Sequence, residues 1–291
     1  MPEAAKPSIL YHYTSMQGLL SIVETGRIRA THVRYLNDQS ETSTMWEIVL
    51  KRLEDRKLAA KDAAESAILC KLIELGKMRR LSNEFVASFS EKGEDLSQWR
   101  SYCSAGGFSI GFSAPALRSQ WVSNPTGGSA SFVGAFLLKV VYVNAENGTD
   151  LDPLIDEGLE LGSGLHSSIA YFRERTSKED VILAWFGLMA PSFKNSAFSA
   201  ENEWRMILVK PHKPMPGQRF RAGKSTLIPY IEVDLNRDSK FNLSNDYMIR
   251  KVVIGPTPNP DLSLESLRSF FLSNGHPEVQ VENSVIPYRD W

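Results

Sequence analysis

His12, Glu201 and Glu203 are the residues best suited to acid–base or electrostatic chemistry. His12 stands in the run YHYTS, flanked by Tyr11, Tyr13, Thr14 and Ser15. On a strand, alternate side chains share a face, so His12 and Thr14 are expected to point one way and Tyr11 and Tyr13 the other. A histidine beside a hydroxyl can hold sugar hydroxyls or an amide. The plainer account is a buried histidine satisfied by backbone. Glu201 and Glu203 form an E-x-E pair entering a strand, with both carboxylates expected on one side, roughly 7 Å apart at two strand rises. Two like charges that close raise one pKa, which suits a site. Arg205 continues the same face and could offset them, and a surface row of ion pairs explains the pattern equally well.

Two further clusters carry polar chemistry. Arg34, Tyr35, Asn37, Asp38 and Glu41 precede a helix whose free N–H groups could meet an anion, although capping by Asp38 and Glu41 accounts for part of the set. Ser88, Phe89 and Ser90, then Ser97, Gln98, Trp99, Arg100 and Tyr102, combine hydroxyls with aromatics that could hold a flat ring. For Trp99 taken singly, a core tryptophan is the simpler reading. Cys103 has no base nearby in sequence and is read as structural. The chain has no GxGxxG after a strand and no GxxxxGK[ST], HExxH or GxSxG.

The elements that must position these residues follow from periodicity and caps. SILYHYT (8–14) reads as a strand. A helix capped by Thr14 or Ser15 follows, carrying Leu19, Leu20, Ile22 and Val23 and stopping at Gly26. IRATHV is extended. A helix starting near Asp38 and Glu41 and a second at 58–77 come next. Strands are expected at 84–90, 106–112 and 136–143, with LSQWRSYC as a short helix or turn. Residues 151–191 are mostly helical, with Ile169, Phe172, Ile182, Trp185, Phe186 and Met189 as a core face. A strand enters near Glu203, followed by strands in TLIPYIEVDL and IRKVVIGP, a helix stopped by Gly275, and a closing strand in VQVENSV. The fold class is therefore α+β, a mixed or antiparallel β core split by helices, with residues 1–291 forming one domain and a helical insertion at about 145–192.

The chain has 291 residues, 42% hydrophobic and 23% charged, with a formal net charge of −1, so a general basic footprint for nucleic acid is missing. The basic stretch at 210–224, with Lys210, His212, Lys213, Arg219, Arg221 and Lys224, reads as a solvated loop. Arg79–Arg80 is the other basic spot. The two cysteines, Cys70 and Cys103, show no metal-ligand spacing and fit a reducing compartment. The N-terminus lacks a signal-peptide pattern, and no apolar run is long enough to span a membrane. A cytoplasmic location without membrane contact is expected.

Several phrases together resemble one family: YHYTSMQGLLSIVETGRIRATHVRYLNDQSE, FVASFSEKGEDLSQWRSYCSAGGFSIGF, FKNSAFSAENEWRMIL, VVIGP and SVIPYR. In their order from Tyr11 to Arg289 they are similar to the bacterial domain-of-unknown-function family 2971. The layout also resembles the ADP-ribosyltransferases. In that group an N-terminal strand carries a His that holds NAD, a middle strand a Ser or Tyr with an aromatic near the nicotinamide, and a late strand the catalytic Glu, in some branches as Q/E-x-E. His12, Ser88 with Ser90, and Glu201-x-Glu203 fill those places.

This second resemblance implies an ADP-ribosyltransferase-like fold and an NAD-dependent ADP-ribosyltransferase or NAD glycohydrolase, in phage defence or as a toxin. It implies NAD as substrate and no metal. Glu203 would stabilise the ribosyl cation, and Glu201 would orient or deprotonate the acceptor, a protein, nucleic acid or water. His12 and Thr14 would hold a ribose. Arg34 or Arg205 would meet the pyrophosphate, and Tyr102 or Phe89 would stack on nicotinamide. Tyr13, Asn37, Ser88, Ser90 and Trp99 complete the expected NAD-binding set. Glu203→Gln is expected to abolish turnover with the fold intact. The competing readings are a non-catalytic nucleotide-binding sensor and a metal-dependent nuclease or hydrolase using His12 and the carboxylates.

Overall fold

The computed structural model describes residues 7–36, 40–78, 84–103, 106–119, 134–144, 148–163, 177–209, 217–235 and 248–287. It is an α+β chain built on a ten-stranded, mostly antiparallel sheet. β1 (Ile9–Ser15) runs directly into α1 (Met16–Thr25). Ser15 makes that abrupt change possible, because its side chain accepts a hydrogen bond from the Gly18 N–H at 3.2 Å. Gly26, with φ of 62°, ends the helix in the left-handed conformation and starts β2 (Arg27–His32). α2 (Ser40–Leu58) and α3 (Ala63–Met78) follow, then β3 (Phe85–Ser90), α4 (Leu96–Tyr102), β4 (Gly107–Ser113) and α5 (Ala114–Ser119). Asp95 caps α4, its side chain accepting from the Ser97 and Gln98 N–H groups.

The stretch expected as one strand over 136–143 is two. β5 (Gly134–Lys139) stays in the main sheet, and β6 (Val141–Val143) leaves it to pair in parallel with β7 (Phe193–Asn195). The break falls at Val140, whose N–H donates to the Glu203 carbonyl at 2.9 Å. α6 (Asp152–Ser163) and α7 (Lys178–Met189) occupy the expected helical segment. Ile182, Phe186 and Met189 are buried and Trp185 packs on the same cluster, whereas Ile169 and Phe172 lie outside the described residues. The second half continues with β8 (Glu203–Val209), β9 (Arg219–Ala222), β10 (Leu227–Asp234), β11 (Ile249–Ile254), α8 (Pro260–Ser273) and β12 (Gln280–Asn283). Arg219 and Arg221, expected in a loop, are thus strand residues.

Two cores hold these elements. The larger joins the sheet to α1, α5 and α8 through residues such as Leu10, Ile22, Phe89, Ile110, Phe112, Leu117 and Phe271. The second joins α2, α3, α6 and α7 to β6 and β7 through Leu53, Leu72, Ile155, Phe186 and Phe193. A small cluster of Val33, Val86, Leu188 and Ile207 lies on the sheet face opposite the larger core.

β3 is the branch point of the sheet. It pairs with β8 along its whole length, from Phe85↔Leu208 to Ser90↔Glu203. A strand has two edges, so the other must serve both remaining neighbours. β2 takes one end (Thr31↔Val86, His32↔Phe85) and β1 the other (Tyr11↔Ser90). Between them the sheet is split, and the edge of β3 around Ser88 has no ladder partner there.

Candidate functional site

A cleft of about 710 Å³ opens at this split. His12, Tyr13, Thr14, Ser88, Phe89, Ser90, Tyr102, Glu201, Glu203 and Arg205 all line it. Ten of the thirteen residues expected in the NAD site therefore line one cleft, brought from β1, β3, α4, β8 and the 3-10 turn Ser196–Glu201 before β8. Arg34 and Trp99 are not in the lining. Arg34 lies in a short turn after β2, its N–H donating to His32 Nδ1. Trp99 is 1% exposed and packs edge-on to Tyr13 at 4.8 Å, beside Val253, as a core residue. Asn37 lies outside the described residues, as does Asp38.

Ser88 ties the two key side chains together. Its carbonyl, left without a strand partner by the split, accepts a hydrogen bond from His12 Nδ1 at 2.9 Å. Its hydroxyl lies on the same face of the β3–β8 pair as the Glu203 carboxylate and favours the charged form of that acid. A carbonyl can only accept, so Nδ1 carries the proton and Nε2 keeps its lone pair. Burial lowers the His12 pKa and outweighs the opposing effect of the Ser88 hydrogen bond, so the ring is neutral at pH 7. The register places Tyr11 across from Ser90 and His12 across from Ile110. Alternation thus assigns His12 to the larger-core face and Glu203 to the other. They share a cleft because the sheet is open between them.

The carboxylate pair differs from the sequence expectation. Glu201 ends the 3-10 turn rather than lying on the strand, and Asn202 follows at φ 45°, the single non-glycine residue with positive φ among the described residues. Asparagine tolerates this left-handed conformation better than most residues. The resulting kink turns both acids onto one ammonium: Lys194 Nζ donates to Glu201 Oε2 at 2.8 Å and to Glu203 Oε2 at 3.2 Å. Arg205 closes on Glu203 through Nε to Oε1 at 2.8 Å and Nη2 to Oε2 at 3.1 Å, and its Nη1 donates to the Pro191 carbonyl at 2.8 Å.

A raised carboxylate pKa does not result. Burial alone pushes the Glu203 pKa up, but the Arg205 charge and hydrogen bonds, Lys194 and the Ser88 hydroxyl outweigh it, and the pKa falls below the usual carboxylate value. The Glu203 side chain is 7% exposed and that of Glu201 is 20%, so Glu201 is the acid a ligand reaches more readily.

Other expected contacts are already engaged. The Tyr13 hydroxyl donates to the Lys92 carbonyl at 3.0 Å, and burial raises its pKa. Ser90 Oγ donates to the Glu201 carbonyl at 2.7 Å. Phe89 is a core ring, 5.9 Å from Phe112 and 5.8 Å from His12, so Tyr102, 45% exposed, is the better stacking surface of the two. Thr14 closes over α1, where a Cβ at Gly18 would stand 1.9 Å from its Oγ1. Cys103 is buried, and burial pushes its thiol up to about 12, in keeping with a structural role.

The sequence reading missed Lys194, Arg29 and Arg221, which also line the cleft. Lys194 carries no sequence signal, being a lone lysine in the mixed run SFKNSAF. Arg27-x-Arg29 and Arg219-x-Arg221 do carry one, since strand alternation puts each pair on one face.

Residues 98–206, from α4 to β8, match the family model described as a protein of unknown function, DUF2971. Over those residues the chain is similar to that family. The DUF2971 region contains Tyr102, Lys194, Glu201, Glu203 and Arg205, whereas His12, Ser88 and the cleft arginines Arg29 and Arg221 fall outside it. No curated protein and no solved structure matches the chain. Among the described residues, no helix is long and apolar enough to cross a membrane, and no group of three His, Cys, Asp or Glu side chains could hold a metal ion.

Proposed function

We propose that this cleft binds NAD and breaks the bond between nicotinamide and ribose, as an ADP-ribosyltransferase or NAD glycohydrolase. The observation that carries this reading is the Ser88 bridge, which joins a neutral imidazole and an ionised carboxylate at the mouth of a split sheet. Cleavage of the glycosidic C–N bond releases neutral nicotinamide and leaves positive charge on the ribose. An anion held ionised in a poorly hydrated site stabilises that charge as it develops. Glu203 supplies the fixed charge. Glu201, the more exposed of the two acids, orients the attacking hydroxyl or water and takes its proton as the new bond to the ribose forms. His12 Nε2 accepts a hydrogen bond from a ribose hydroxyl, and Tyr102 offers the exposed ring for nicotinamide. The acceptor and any part in phage defence or toxicity lie beyond these residues.

The test is nicotinamide release from NAD by the whole chain. Release that falls at least a hundredfold in Glu201→Gln, with the urea midpoint unchanged, supports the reading. Glu203→Gln is a poorer probe than the sequence suggests, because an amide there leaves Arg205 buried without its counter-charge. A second reading, a nucleotide-binding module without turnover, is favoured by the occupation of both Glu203 oxygens by Arg205 and Lys194. Saturable NAD binding with no nicotinamide released would establish it instead.

A further inference from the structure

Arg205 is committed to Glu203 and Pro191, and Arg34 is outside the cleft, so neither is placed to meet a phosphate. The other end of the cleft has a different character. β2, β10 and β9 lie side by side, with Arg29 across from Glu232 and Tyr230 across from Arg219. Alternation places Arg27, Arg29, Glu232, Tyr230, Arg219 and Arg221 on one face, opposite the buried Ile28, Ala30, Ile231 and Val233. Glu232 pairs with Arg27 at 3.4 Å and with Arg219 at 3.1 Å. Among the described residues, neither Arg29 nor Arg221 has a carboxylate within ion-pair distance. Arg29 instead lies over the Tyr230 ring, 4.9 Å from its centroid. Arg221 feels partial burial and the like charge of Arg29, both of which lower its pKa. Two guanidiniums that line one cleft and feel one another's charge are an unneutralised cationic pair.

We propose that Arg29 and Arg221 form a subsite for the diphosphate of a small nucleotide, the deeper specification of the NAD reading above, on which it rests. Two guanidiniums lining one cleft, neither with a carboxylate partner among the described residues, call for an anion with oxygens for both. A single carboxylate satisfies one fork, whereas a diphosphate offers two phosphoryl groups and enough charge for two. A nucleic-acid backbone is disfavoured, because the far end of the same cleft carries Glu201 and Glu203 and the whole chain has a net charge of −1. The cleft volume falls within the range of small-ligand sites, roughly 300–1,000 Å³.

The experiment is calorimetric titration of the full chain with ADP, adenosine and a single-stranded oligonucleotide, alongside nicotinamide release from NAD. ADP is expected to bind at least tenfold more tightly than adenosine, and more weakly as salt rises. Arg29→Gln and Arg221→Gln are each expected to raise the ADP Kd on the order of tenfold, as for loss of a charge-assisted hydrogen bond, and Arg34→Gln to leave it unchanged. The charge-retaining Arg29→Lys and Arg221→Lys, with wild-type urea midpoints, should fall between. Equal affinity for ADP and adenosine, wild-type Kd in both glutamine variants, or an oligonucleotide that displaces ADP at lower concentration would each overturn the subsite. Arginine-dependent ADP binding without nicotinamide release leaves the subsite standing and removes the glycosyl-transfer reading. Nicotinamide release with an unaltered KM in both variants does the reverse.

Discussion

The two ends of the cleft handle charge in opposite ways. At the acid end, Glu201, Lys194, Glu203 and Arg205 are two carboxylates and two cations, joined by hydrogen bonds of 2.8–3.2 Å, with Glu203 and Arg205 almost fully buried. At the basic end, Arg29 and Arg221 are exposed and repel one another. Desolvation explains the difference. A buried ion must be paired or neutralised, whereas a solvated one can stay unpaired and available to a ligand. The acid end thus contributes a preset charge whose geometry is fixed before anything binds, and the basic end contributes affinity.

Breaking the pairing at the acid end should have the largest effect. Arg205→Met removes both short-range bonds from Arg205 to the buried Glu203, leaving it the 3.2 Å contact to Lys194, and is expected to lower unfolding stability by about 3–5 kcal/mol in urea titrations. If that variant unfolds at the wild-type midpoint, the buried network is not holding the sheet. The double change Glu203→Gln with Arg205→Met should cost less than the sum of the two single changes, because no lone charge remains. Lys194→Met removes the cation shared by the two acids, leaving Arg205 on Glu203 alone, and should cost about 1.5–3 kcal/mol. Ser88→Ala deletes the hydroxyl on Glu203 but keeps the carbonyl for His12, so about 1–2 kcal/mol is expected.

Acidity separates the two ends without mutation. Glu203 has a folded pKa below its unfolded value of 4.5, so its stabilisation is present above that pH and is lost as pH falls through the folded value. His12 is also lowered, from 6.5. The unfolded chain therefore binds the extra proton first, and stability declines as pH drops below that value. Urea midpoints measured from pH 8 down through the acid range below pH 4.5 should fall in these two stages, and the upper stage should vanish in His12→Gln. The arginines do not titrate in that window. The smallest effect is accordingly expected at the basic end, where Arg29→Gln and Arg221→Gln should change stability by no more than about 0.5 kcal/mol while weakening nucleotide binding. A large stability loss there would mean the pair is structural.

Legibility in the sequence followed the range of the interaction. The Ser15 cap, the Gly26 and Gly275 stops and most strands were visible, because caps, left-handed glycines and two-residue alternation act over a few residues. The types His12, Ser88, Glu201 and Glu203 were also visible as residues able to do chemistry. The Val140 break was not, since a run of β-branched residues carries no mark of two partners in different sheets.

What chain order alone establishes, then, is the α+β class and a short roster of reactive side chains. The branching of β3, the gap that turns a Ser88 carbonyl toward His12, and the meeting of Lys194 with two acids were settled by packing. The first two depend on strands far apart in the chain finding their register, with Ser88 76 residues beyond His12, and the third on the kink at Asn202. Register is fixed by which faces are buried together, and that is a property of the assembled core rather than of any local segment.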